Sequence, residues 1–123
     1  CVPRRDLRAL VAACRRDAVG GLLAAPVSDT VKQADEDGRS FRTLPREHLW
    51  RAQTPQMFRL GTLSQALDQA LAAGFEPTDE SAAIEKLGLR PRLVEGSPLN
   101  VKVTRPADLA FAAAAFAAVR RHR

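Results

Sequence analysis

An α/β fold, with helices layered on a sheet of short strands, is predicted by three features of this sequence. Apolar residues recur at helical spacing in two places, Leu7, Leu10, Val11 and Cys14 near the start, and Leu63, Ala66, Leu67, Ala70 and Leu71 in the middle. Short apolar runs of strand length, Leu22 to Val27 and Leu93-Val94, lie between and after them. The two kinds of segment alternate, which is the order of a sheet covered by helices.

Taken along the chain, residues 5–19 read as a first helix closed by Gly20 and Gly21. A buried strand follows at Leu22 to Val27, and Val31 continues an extended path. Asp35-Glu36-Asp37-Gly38 is a turn between extended arms, because aspartates tolerate tight geometry and glycine supplies a positive φ. The arms carry Lys32, Gln33, Arg39 and Arg42 with few apolar partners, so the hairpin is expected to project or to pack on another subunit. Residues 59–73 form a helix ended by Gly74. Thr78-Asp79-Glu80 caps another that runs to Gly88, the cap contributing about 1 kcal/mol. Val101 and Val103 alternate about Lys102 as strand residues do, and a last helix starts at Thr104 with Pro106 in its first turn.

Composition removes several classes of function. A chain of 123 residues with 46% hydrophobic side chains supports one domain. The apolar run Ala112 to Val119 is far below the roughly 18 residues that cross a bilayer. Cys1 and Cys14 make at most one disulfide, and with His48 and His122 they do not assemble a cysteine-rich zinc site. The net charge of +5 points toward nucleic acid, but five of the arginines sit in residues 1–17 and three in 120–123. The body between them carries eleven basic and twelve acidic side chains and is neutral, which argues against a duplex-binding stripe. Only three of the nineteen basic residues are lysines, and two of these, Lys32 and Lys102, fall in segments that read as functional.

Four polar segments are candidates for chemistry: Pro26 to Lys32, Arg46 to Trp50, Gln53-Thr54-Pro55-Gln56, and Asn100 to Thr104. The third reads as a loop in which Pro55 fixes the backbone among hydrogen-bonding side chains. The last reads as a strand feeding a helix amino terminus, where α/β folds hold anions. Each also has a plain structural reading: Thr54 as a turn residue before proline, Asp29-Thr30 as a cap on the bend, Arg46 as a surface ion pair. Lys102 fits that reading least, since a strand covered by helices would bury its ammonium without an anion. His48 and Trp50 read as packing residues, and Glu95-Gly96-Ser97-Pro98 as a loop.

In their order and separations, Pro26-Val-Ser-Asp-Thr-Val-Lys32, Leu49-Trp-Arg-Ala-Gln-Thr-Pro-Gln56, Thr78-Asp-Glu80, Leu93-Val-Glu-Gly96 and Asn100-Val-Lys-Val-Thr104 resemble the carboxy-terminal half of 2-C-methyl-D-erythritol 4-phosphate cytidylyltransferases. The resemblance covers nearly the whole chain. It implies a partial, mostly parallel Rossmann-like nucleotidyltransferase sheet with flanking helices, residues 1–123 forming half of one domain. It also implies a projecting β-hairpin at residues 28–49 that serves as the dimerisation arm of a homodimer. The implied reaction is attack of methylerythritol phosphate on the α-phosphorus of CTP with release of pyrophosphate, a step of the non-mevalonate route to isoprenoids. By motif, Arg46 and Lys102 match the two basic residues that position the acceptor phosphate. Thr30 and Thr54 match threonines of the same pocket, with Arg46 and Thr54 expected from the partner subunit's arm region. Mg2+ is implied with CTP for the parent enzyme and not for this segment alone, and the location implied is cytoplasmic, bacterial or plastidial.

Departures set the expectations for activity. The family's glycine-rich nucleotide loop has no counterpart here, and Cys1 is not a methionine, so the chain is expected to be part of a longer protein, unable to bind CTP normally or to catalyse alone. Met57 stands where relatives often have glycine, and Ser81-Ala82 departs from the family's common order. The alternatives are a related cytidylyltransferase using another acceptor such as ribitol phosphate, and a non-catalytic dimerisation fragment.

Overall fold

The computed structural model describes residues 2–121; Cys1 and His122 lie outside them. Its elements are α1 (Arg4–Cys14), β1 (Gly20–Pro26), β2 (Val31–Ala34), β3 (Ser40–Leu44), β4 (Trp50–Phe58), α2 (Leu60–Ala72), α3 (Glu80–Lys86), β5 (Arg92–Glu95) and α4 (Asp108–Arg121). The α/β class stands, and the sheet is mixed. Its order is β4-β1-β5, with β1 antiparallel to β4 and parallel to β5.

The central strand β1 is buried from Gly20 to Ala25, as a near-continuous apolar run with a neighbour on each side should be. Gly20 and Gly21 begin this strand and do not close α1, which ends at Cys14. A side chain at Gly20 would strike the Met57 carbonyl, so close strand pairing requires glycine there. The intervening bend is held by Asp17, whose Oδ1 accepts from the Val19 and Gly20 amides at 2.9 Å each. The Arg59 guanidinium donates to the Arg15 and Asp17 carbonyls there.

Helix α1 turns a different face inward from the one its leucines predict. Asp6, Leu10 and Cys14 are buried, while Leu7 and Val11 stay exposed. Leu10 and Cys14 pack on the fully buried Leu23, with Met57 and Val94 beside them. Burial, reinforced by the negative charge of Asp17, pushes the Cys14 thiol upward, so it packs as a small hydrophobe and is a poor nucleophile. A second cluster joins Ala66 and Ala70 of α2 to Ala83 and Ile84 of α3, with Phe58, Leu63 and Phe75 around it. Small residues on α2 bring α3 close, and α3 carries the capped end that faces the site described below.

The hairpin is a separate two-stranded sheet, β2 against β3, paired from Val31↔Leu44 to Ala34↔Ser40. Asp35 Oδ1 accepts from the Asp37 and Arg39 amides, and Gly38 takes φ +76°. Polar pairs hold its arms, Lys32 to Thr43 and Arg42 to Gln33, each at 2.7 Å. Phe41 lies beside the Arg42 guanidinium and is 66% exposed. The Val27 amide donates to the Leu49 carbonyl at 3.0 Å and closes the root where the chain leaves β1 and returns into β4. His48 is exposed and Trp50 partly so; neither packs into the core as expected.

Candidate functional site

Strand β4, the segment from Asn100 to Thr104, the start of α3 and the first turn of α4 line an open cavity of about 630 Å³, and Thr54 and Lys102 are both on its wall. Gln53 to Gln56, expected as a loop, belong to β4. A proline there is tolerated because the register of β1 against β4 shifts between Leu22 and Ala24, opposite this stretch, so Pro55 sits where the ladder is interrupted. The Thr54–Pro55 peptide is cis.

Two glutamines on this strand grip the two walls. The Gln53 amide is buried and donates to the carbonyls of Ser97, at 2.9 Å, and Asn100, at 3.3 Å. Asn100 donates in return to the Thr54 carbonyl at 2.6 Å. Gln56 donates to Asp79 Oδ2 at 2.9 Å and accepts from the Ser81 amide at 2.9 Å. Asp79 is the N-cap of α3, as expected, its Oδ1 accepting from the Ala82 amide and the Ser81 hydroxyl at 2.8 Å each. Burial pushes the Asp79 carboxyl upward, but the hydrogen bonds from Gln56, Ala82 and Ser81, with the positive field of Lys102, outweigh it and hold the carboxyl below its ordinary range.

The segment around Lys102 differs from its expected form. Residues 101–104 are not a strand, because β5, β1 and β4 make up the sheet and leave this stretch no ladder partner; α4 begins at Asp108, not at Thr104. The Thr104 and Arg105 amides both donate to Asp108 Oδ2 at 2.9 Å, so they are not presented to an anion. These two bonds and one from the Thr104 hydroxyl hold the Asp108 carboxyl low. Lys102 is exposed rather than buried, so its charge has no desolvation to offset. Among the described residues no side chain hydrogen-bonds its ammonium, which leaves it to face the cavity near Asp79 with Arg51 as a second cation.

Of the four residues singled out from the sequence, Thr54 and Lys102 therefore line the same cavity. They do so within one chain, so Thr54 does not need a partner subunit to share a cavity with Lys102. Arg46 and Thr30 lie elsewhere, at the hairpin root, where an Arg46 guanidinium nitrogen donates to the Ser28 carbonyl and Thr30 is exposed. Gln53, Gln56 and Asn100 fall in candidate segments of the sequence without a role of their own there, and Thr78 and Asp79 read from sequence only as a helix cap. Their signal was the polar pair flanking Pro55 and the capping aspartate, but contacts across more than twenty residues are not legible in spacing. Asp79 and Asp108, the carboxylates on the cavity, already serve amides and hydroxyls, so these residues do not build the oxygen cage a divalent cation requires. No cluster of three or more metal-ligating side chains occurs among the described residues, and no helix among them is long and apolar enough to cross a membrane.

The sequence model of the family 2-C-methyl-D-erythritol 4-phosphate cytidylyltransferase (IspD) matches residues 1–118. The chain is 58% identical over 108 residues to the 2-C-methyl-D-erythritol 4-phosphate cytidylyltransferase of Ectopseudomonas mendocina, covering 88% of this chain and 46% of that protein. It is 53% identical over 118 residues to the protein of the same name from Chromobacterium violaceum, covering 96% and 52%. The crystal structure of the Francisella tularensis 2-C-methyl-D-erythritol 4-phosphate cytidylyltransferase superposes with a TM-score of 0.80 at 36% identity, over 94% of this chain and 54% of that one. The chain thus spans about half the length of the curated relatives it matches.

Proposed function

The chain belongs to the 2-C-methyl-D-erythritol 4-phosphate cytidylyltransferase family, and on that premise we propose that it supplies the acceptor-positioning and dimer-arm part of an enzyme that moves CMP from CTP to methylerythritol phosphate. In that reaction an oxygen of the acceptor phosphate bonds to the α-phosphorus of CTP, the bond from that phosphorus to the α,β-bridging oxygen breaks, and pyrophosphate leaves with the electron pair. Such chemistry is mainly alignment and charge neutralisation, so it needs cations and hydroxyls on a held framework and no histidine base. Lys102 supplies the charge to the acceptor phosphate and Thr54 a hydroxyl, while Arg46 and Thr30, at the root of a hairpin with exposed Phe41, serve the cavity of a second copy.

The observation that carries this reading is the convergence of Thr54 and Lys102, far apart in sequence, on one cavity in a chain of this family. Magnesium accompanies the CTP triphosphate in the longer enzyme; the residues on this cavity do not fit it, and no step above runs through it. The place of the reaction is isoprenoid biosynthesis in the bacterial cytoplasm, in keeping with bacterial relatives. The test is CTP-dependent pyrophosphate release by the full-length protein with methylerythritol phosphate, ribitol phosphate serving as the control acceptor. Lys102→Ala and Arg46→Ala are each expected to lower the rate by about 10²-fold or more, the loss of a charge-assisted contact in an aligned complex. Near-normal rates in both variants would remove the assigned roles.

A further inference from the structure

Lys102 stands on a segment without regular structure, and what holds that segment is an interlocked pair of amides. Gln53 is 6% exposed and reaches from β4 to two carbonyls of the 97–100 loop. Asn100, 7% exposed, reaches back to β4 at the Thr54 carbonyl. The far end of the loop is fastened by the Ser97 amide, which donates to the buried Asp6 carboxylate of α1 at 2.7 Å. Within the loop the Asn100 amide closes a turn onto the Ser97 carbonyl. Gly96 makes room for the arrangement: a side chain there would run into Gln53 Oε1. Lys102 follows two residues after Asn100, so its height over the cavity is set by where Gln53 and Asn100 hold the chain.

We propose that Gln53 is a positioning residue that acts through Lys102, fixing the distance between the Lys102 ammonium and the strand that carries Thr54, and hence the affinity for the phosphate-bearing acceptor. This rests on the cytidylyltransferase reading of the site. Gln53→Met keeps the length of the side chain and removes both donors. In the full-length protein it is expected to raise KM for methylerythritol phosphate about tenfold, the loss of one to two net hydrogen bonds, while KM for CTP stays within about twofold. The discriminating readout is a double-mutant cycle. In a Lys102→Ala background, Gln53→Met should change acceptor KM by less than about twofold, because the group it positions is gone. A full tenfold loss in that background, or an equal rise in KM for CTP, overturns the inference. Amide hydrogen exchange supplies a readout independent of turnover: residues 98–103 should exchange at least tenfold faster in Gln53→Met, and unchanged exchange also overturns it. If Gln53→Met fails to fold, Asn100→Asp, which sets a carboxylate against the Thr54 carbonyl, must show the same acceptor-selective and Lys102-dependent pattern. An inactive wild-type protein would sink the functional reading, with the exchange measurement still deciding whether Gln53 holds the loop.

Discussion

Removing the Asp79 carboxylate should loosen the whole α3 wall of the cavity. Its two oxygens accept from the Ala82 amide, the Ser81 hydroxyl and Gln56, at 2.8–2.9 Å. Asp79→Ala therefore deletes a helix cap, about 1 kcal/mol, and leaves two further donors without their acceptor. The site is partly exposed, so water recovers some of that loss, and the sum is about 2–3 kcal/mol. At the length of the curated relatives, about twice that of this chain, this corresponds to a fall in Tm of roughly 5–10 °C. Asp79→Ser retains a capping oxygen and should recover about half. Urea unfolding of the full-length protein followed by circular dichroism measures both. The sign of the pH dependence follows from the depressed Asp79 carboxyl: its contribution is complete above the ordinary carboxylate value of 3.8 and is lost as pH falls through the lower folded value. The stability gap between wild type and Asp79→Ala should thus be constant near neutrality and close in acid. Variants within about 0.5 kcal/mol of wild type, or a gap unchanged at low pH, would refute this account of the cap.

Two other substitutions probe the framework and the arm. Gly96→Ala forces a methyl group against Gln53 Oε1, and the overpacking is expected to cost about 1–3 kcal/mol in a denaturant titration, with a raised KM for the acceptor. Phe41→Ser removes an exposed apolar side chain at the hairpin; on the proposal that the hairpin is a dimerisation arm, sedimentation should show weaker self-association than wild type with secondary structure intact, and unaltered self-association would remove the hairpin from that role.

The hairpin turn and the Asp79 cap were legible because a few neighbouring residues settle them: an aspartate, a glycine or a capping oxygen acts within four positions of itself. Strand β1 was legible because a sustained apolar run has to be buried somewhere. The reading of Val101 to Val103 failed for the complementary reason. Alternation fits a strand, but a strand exists only with a partner, and here the sheet ends elsewhere. Gln53-Thr54-Pro55-Gln56 failed in the opposite sense, since a neighbouring strand with an irregular register accepts a proline that sequence alone marks as a break.

The same division runs through the site. The residue types that can neutralise a phosphate, Lys102 and Arg46, and the hydroxyls of Thr30 and Thr54 are visible in the order of the chain, since charge and hydrogen-bonding capacity belong to each side chain singly. Which of them share a cavity depends on contacts across tens of residues. Asp6 turns inward because it has the Ser97 amide to serve, Gln53 and Asn100 interlock across the loop, and Thr54 and Lys102 line one cavity while Arg46 stays at the hairpin root. Those long-range hydrogen bonds form only once packing has excluded water and closed the intervening loops, so they belong to the folded chain and to no segment of it.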